Sequence, residues 1–161
     1  MLGCRIEHEG EGTSERDGQR GTPLSDGGGR GHEKVVKLLL AQDGVDVNAR
    51  DAQGWTTLMS AVCQGHEKVV KLLLAHEGVD VNAPDAVQGP TPIRVASRLG
   101  HEEVVKLLLA HEGVDVDAQA KGKAPLIDAV CQGNEEVVKL LLVHEGVAVD
   151  AQDPGDTPSP M

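Results

Sequence analysis

The segment GHEKVVKLLL, beginning at Gly31, recurs at Gly65 and returns as GHEEVVKLLL at Gly100 and GNEEVVKLLL at Gly133. The starts lie 34, 35 and 33 residues apart. A second marker, GVDVNA with its variants, begins at Gly44, Gly78, Gly113 and Gly146 with the same three spacings. Two independent markers in four ordered copies define a repeat array. A unit of this size cannot bury its apolar face alone and must stack on its neighbours. Composition agrees. The 161 residues are 39% hydrophobic but contain no Phe, no Tyr and one Trp, which suits thin layers of Leu and Val better than one large core built on aromatic side chains.

Each unit reads as two short helices and an extended excursion. Thr56 stands before TLMSAVCQ as an N-cap, and Pro92 and Pro125 occupy the first helical position of the next two units, where a missing N–H is harmless. Gly65 then permits a turn into HEKVVKLLLA. There Val69, Leu72 and Leu73 fall at i, i+3 and i+4 and make one apolar face. On the outside, Glu33–Lys37, Glu67–Lys71, Glu102–Lys106 and Glu135–Lys139 are spaced for i,i+4 ion pairs. Gly78 is expected to end the helix, with VDVNAPDAVQG leading to the next unit.

These units resemble ankyrin repeats, most fully in GPTPIRVASRLGHEEVVKLLLAHEGVDVDA over Gly89–Ala118, and the likeness runs from about Thr22 to Ala151. It implies an all-α solenoid of stacked helix-turn-helix repeats with connecting hairpin loops, working as a non-catalytic protein-binding module. The array is expected over residues 32–151, after a degenerate or disordered remnant at 1–31 and before a tail at 152–161. The His that follows the Leu in the family's TPLH motif is missing: its slot holds Ser25, Met59, Arg94 and Ile127. In the fourth unit Ala124 replaces the capping Thr, a change expected to cost that helix about 1 kcal/mol. Asn48 and Asn82 resemble the family's asparaginyl-hydroxylation sites, but the favoured expectation is a structural hairpin asparagine; Asp117 and Asp150 fill that slot in the later units.

A glycine-rich run, SDGGGRGHEK from Ser25, invites a phosphate-loop reading. Its spacing refuses it. A Walker loop requires Gly-Lys-Ser/Thr where this chain has Gly31-His32-Glu33-Lys34, and a dinucleotide loop requires Gly at His32. Counting back one period from Thr56 gives Thr22, so Gly27, Gly28 and Gly29 fall in the first helix of a repeat. Three glycines weaken a helix by roughly 3 kcal/mol relative to alanine, hence the expectation that residues 1–30 are largely disordered or at best a partial helix. Val35, Leu38 and Leu39 are then poorly covered on one side.

Other chemistries find little support. With 26 Asp plus Glu against 15 Lys plus Arg, the net charge is −11, which repels phosphate backbones, and base-stacking platforms are lacking. Each His recurs once per unit, too far apart for one ion to bridge, and the residue four positions after each is never a second His. Cys4, Cys63 and Cys131 suggest neither a disulfide framework nor a CxxC site. No apolar run approaches a membrane span, the start MLGCRIEHEG lacks a signal-peptide core, and its Gly3 is misplaced for myristoylation. The expectation is an intracellular, reducing setting, with no cofactor and no metal.

A binding surface has more substance. Matching slots on the first helices hold Met59/Cys63, Arg94/Arg98 and Ile127/Cys131, and the hairpins add Gln53, Trp55, Gln88, Lys121 and Lys123. Set on the concave face that the resemblance implies, they make a basic, partly apolar groove suited to an acidic or carboxylate-bearing peptide. The competing expectations are that Arg94 and Arg98 pair with neighbouring acids and Trp55 covers its hairpin, and that the chain is a fragment or decayed copy of a larger array with no partner of its own.

Overall fold

The computed structural model describes residues 21–85, 89–116 and 125–144. These form eight helices: α1 (Pro23–Gly29), α2 (Glu33–Leu40), α3 (Thr57–Gln64), α4 (Glu67–Leu74), α5 (Pro92–Leu99), α6 (Glu102–Leu109), α7 (Pro125–Gln132) and α8 (Glu135–Val143). The first helices of successive units, α1, α3, α5 and α7, pack side by side as one layer; α2, α4, α6 and α8 pack as the other. No strand occurs among the described residues, only an isolated bridge between Arg50 and Thr56.

The local signals that set these boundaries act largely as the sequence predicts. The Thr56 hydroxyl accepts from the Met59 N–H at 3.2 Å and the Thr22 hydroxyl from the Ser25 N–H at 3.1 Å. Proline opens α1, α5 and α7. Thr91 adopts the same extended cap conformation but makes no cap hydrogen bond, and its buried hydroxyl lacks a partner. Between the helices of each unit, Gly31, Gly65, Gly100 and Gly133 hold φ between 72° and 77°, a left-handed conformation that L side chains resist. Gly78 does not end α4 as expected. The helix stops at Leu74 with Ala75 still right-handed, and Gly78 turns the chain three residues later at φ 88°.

In α4, Val69, Val70 and Leu73 are buried and Leu72 half-buried. The same slots are filled by Val104, Val105 and Leu108 in α6 and by Val137 and Leu141 in α8. With Leu58, Met59, Val62 and Ile93 from the first-helix layer they make one continuous core.

Within the segment 1–31, Pro23–Gly29 is a two-turn helix despite its three glycines, packed against both α2 and α3. The reason is steric as well as local. A Cβ at Gly28 would stand 2.3 Å from Thr57 Cγ2, inside any real contact, while at Gly27 it would meet Val35 and Val36 at an ordinary 3.5 and 3.6 Å. Gly28 is a close-approach position. Val35 and Leu38 are exposed, as expected for an uncovered face, and Leu39 is half-buried.

The expected i,i+4 pairs need revision. In α6 and α8 the lysine takes the nearer acid: Lys106 bonds Glu103 at 2.8 Å and Lys139 bonds Glu136 at 2.7 Å, both i,i+3 and solvent-exposed. The HEK sequence of the first two units has Lys34 and Lys68 at that place, whereas HEE and NEE supply an acid there.

Candidate functional site

Conspicuous polar residues gather where one unit meets the next. The His66 ring lies 3.1 Å from the Gly29 carbonyl and the His101 ring 3.2 Å from that of Cys63. Asn134, in the same slot, donates to the carbonyls of Ser97 at 2.8 Å and Arg98 at 3.1 Å. Each reaches back and satisfies carbonyls at the C-terminal end of the preceding unit's first helix, which no intrahelical N–H can serve. The slot requires a side-chain nitrogen, and His and Asn both supply one.

A second ladder joins the hairpins. Asn48 donates to the Gly78 carbonyl at 2.7 Å and accepts from the Asp80 N–H at 2.8 Å. Asn82 repeats this with Gly113 and Asp115, both at 2.8 Å. Asp46 and Asp80 accept from the Asn48 and Asn82 N–H groups. Both ends of each asparagine side chain are therefore engaged, which is the structural hairpin role. Arg50 adds a bridge to the Gly54 carbonyl and, at 2.8 Å, to that of Pro84. Asp117, which follows in this series, lies outside the described residues, as do Ala124 and Asp150.

The sequence-derived groove separates into three groups. Met59, Cys63 and Arg94 are buried. Arg94 Nε donates to Asp128 Oδ2 at 2.7 Å, with the two side chains 6% and 9% exposed. These three face the core between consecutive first helices and are not placed to touch a partner. On α3 and α5 the slot that resembled a groove position is a junction position, because each of these two helices is flanked by another first helix on either side. Gln53 and Cys131 are exposed; Trp55, Arg98 and Ile127 are half-buried. Trp55 packs against the edge of the core while its backbone N–H donates to Asp51 Oδ1 at 2.9 Å. Gln88, Lys121 and Lys123 lie outside the described residues. Cys131 is a free thiol, whereas Cys63 is disulfide-bonded, which removes cysteine usage as an argument for a reducing setting.

One exposed slot escaped the sequence reading. Arg30, Gln64, Leu99 and Gln132 stand one residue beyond the Arg98 slot and are all exposed. Two are glutamine, but Arg30 and Leu99 share nothing with them, so no single residue type marks the slot; only the accessible position does.

Surface electrostatics are local. The Glu103 carboxylate, first through its hydrogen bond and then its charge, holds Lys106 above the ordinary lysine value. Lys139 is raised in the same way by Glu136, whose own carboxyl is held low mainly by that hydrogen bond. Among the described residues no three His, Cys, Asp or Glu side chains converge on a metal position, and no helix is long and apolar enough to cross a membrane.

A family model described as ankyrin repeats (3 copies) matches residues 6–85 and 83–153. No curated protein matches the chain.

Proposed function

The chain belongs to the ankyrin-repeat family, and from that premise we propose that it is a non-catalytic module that binds a protein or peptide along the face formed by its first helices and hairpins. Ankyrin repeats are generally protein-interaction modules, and the family is generally non-catalytic. The observation that carries the proposal for this chain is a division between slots. His66, His101, Asn134, Asn48, Asn82 and the Arg94–Asp128 pair are engaged between units. The exposed and half-buried positions instead hold mixed side chains: Gln53, Gln64 and Leu99, then Trp55 and Arg98. Variable chemistry on an invariant frame is how a repeat surface acquires a partner. Trp and Arg are favoured interface anchors. Arg98, with Lys121 and Lys123 from the stretch that leads into the next unit, supports an acidic peptide as the partner, and an intracellular location fits the family.

The test is capture from cell extract with wild type, Trp55→Ala and Arg98→Glu, each first shown to be equally helical by circular dichroism. A protein held by wild type and lost by either variant supports binding through this face; identical captures contradict it. Arg94 is left untouched, because its substitution would test folding. A second reading, a piece or decayed copy of a larger array with no partner of its own, is favoured by the apolar side chains exposed at both ends of the stack, Val35 and Leu38 and then Val130 and Leu142. An empty capture would favour it.

A further inference from the structure

Every junction between units is made from the same two faces. A Cβ at Gly28 would lie 3.7 Å from Val69 of the following unit, so the Gly28 slot looks forward and the Val69 slot looks back. Inside the stack both are covered: Val62 and Ser97 are buried in the forward slot, and Val69, Val104 and Val137 in the backward one. At the ends they are open. The first described unit exposes Val35 (46%) and Leu38 (67%) on its backward face; the last exposes Val130 (57%) and Leu142 (51%) on its forward face.

The polar groups repeat the asymmetry. His32 occupies the slot of His66, His101 and Asn134, but it is exposed and no acceptor among the described residues meets its ring. At the other end, the carbonyl matching those of Gly29, Cys63 and Arg98 belongs to Cys131, an exposed residue to which no described side chain donates. Among the described residues, one end offers a ring nitrogen that meets no acceptor and the other a carbonyl that meets no side-chain donor.

We propose that these two ends are the halves of one more junction, and that a second copy of this chain completes it by stacking head to tail. Val35 and Leu38 of one copy cover Val130 and Leu142 of the next, and His32 meets the Cys131 carbonyl. A second copy is the occupant because the two faces already fit one another three times within the chain, in register and in hydrogen-bond polarity. The contact is heterologous, so it leaves an open face on each copy and propagates. With a net charge of −11, the copies repel over long range, and salt strengthens the association by screening.

Sedimentation equilibrium on the full chain tests this. Wild type is expected to exceed its 16.9 kDa monomer mass, rising with protein concentration and with salt. Leu38→Glu and Leu142→Glu, each confirmed as helical as wild type, should remain monomeric when alone. Mixed in equal amounts they should form a discrete dimer of about twice 16.9 kDa, because each variant contributes the intact face that the other lacks. His32→Ala should weaken the wild-type association roughly fivefold, and His32→Asn should restore it, as Asn134 does within the chain. A wild type that stays at monomer mass throughout overturns the proposal and leaves the two faces to another protein or to the chain's own flanking residues. A mixture that stays monomeric, or single variants that assemble as wild type does, overturns it as well.

Discussion

Between α1 and α3 the stack closes over a side chain that is missing; between α5 and α7 it closes over one of the longest available. Gly28 leaves space into which the Thr57 methyl projects, whereas Arg94 spans its junction to reach Asp128. The backbone arrangement is nevertheless the same, two short helices side by side in the first-helix layer. What the two junctions share is the frame: a threonine before the helix, a left-handed glycine after it, and a nitrogen from the next unit on the terminal carbonyls. The difference teaches that this frame sets the spacing of units and that the filling between them is adjusted to suit. A buried ion pair is a poor source of stability by itself, but a half-removed one is strongly destabilising.

The comparison can be broken most sharply at its charged end. Asp128→Ala removes the carboxylate that the buried Arg94 guanidinium meets at 2.7 Å and is expected to lower stability by up to about 3–5 kcal/mol, seen as a fall in the urea midpoint. The double replacement Arg94→Leu/Asp128→Leu should recover most of that loss if the frame, and not the pair, sets the junction. A double variant as unstable as the single one would show that the pair positions α7.

A smaller effect is expected at the hairpins. Asn82→Ala removes both the donor to the Gly113 carbonyl and the acceptor of the Asp115 N–H, for a loss of about 1–2 kcal/mol. Hydrogen exchange should quicken at the Asp115 amide, which Asn82 now protects. Unchanged exchange there would detach the asparagine ladder from the junction.

The smallest effects belong to the exposed pairs on α6 and α8. Glu136 is held low, so its contribution is present above the ordinary carboxylate range and fades as pH falls through its depressed value. Lys106 and Lys139 are held high, so theirs is complete below the ordinary lysine range and fades as pH rises through the raised values. Both pairs are solvent-screened. Glu136→Gln should shift the urea midpoint slightly in low salt and not resolvably in high salt; a large shift in high salt would mean the pair is shielded from solvent.

Much of this was legible in the chain because a period carries information that a single helix does not. The spacing of GHEKVVKLLL and GVDVNA placed α3 and α4 to within a residue, and Thr56, Gly65 and Pro92 mark boundaries by chemistry that acts within a few residues. The hairpin role of Asn48 and Asn82 was the favoured of two expectations, and their paired bonds to the next hairpin supply it. Arg94 was not legible as a core residue. Its partner Asp128 lies 34 positions away, and an arginine on a short helix reads as surface until the flanking helices are placed. Met59 and Cys63 were misplaced for the same reason, since a slot that faces solvent in an isolated helix faces a neighbour in a stack. The glycines misled in the other direction. Propensity counted them as three equal losses, although the neighbouring helix treats Gly27 and Gly28 quite differently.

That difference is the most direct test of a frame to which the filling is fitted. Thermal or urea unfolding of Gly27→Ala and Gly28→Ala, side by side, isolates it, because both changes improve helix propensity by about 1 kcal/mol. The account predicts that Gly27→Ala is more stable than wild type, its Cβ entering ordinary contact with Val35 and Val36, and that Gly28→Ala is less stable, its Cβ driven against Thr57. Equal stabilisation by both would contradict it: α1 would then be a loosely held remnant, and the close approach to α3 would not exist.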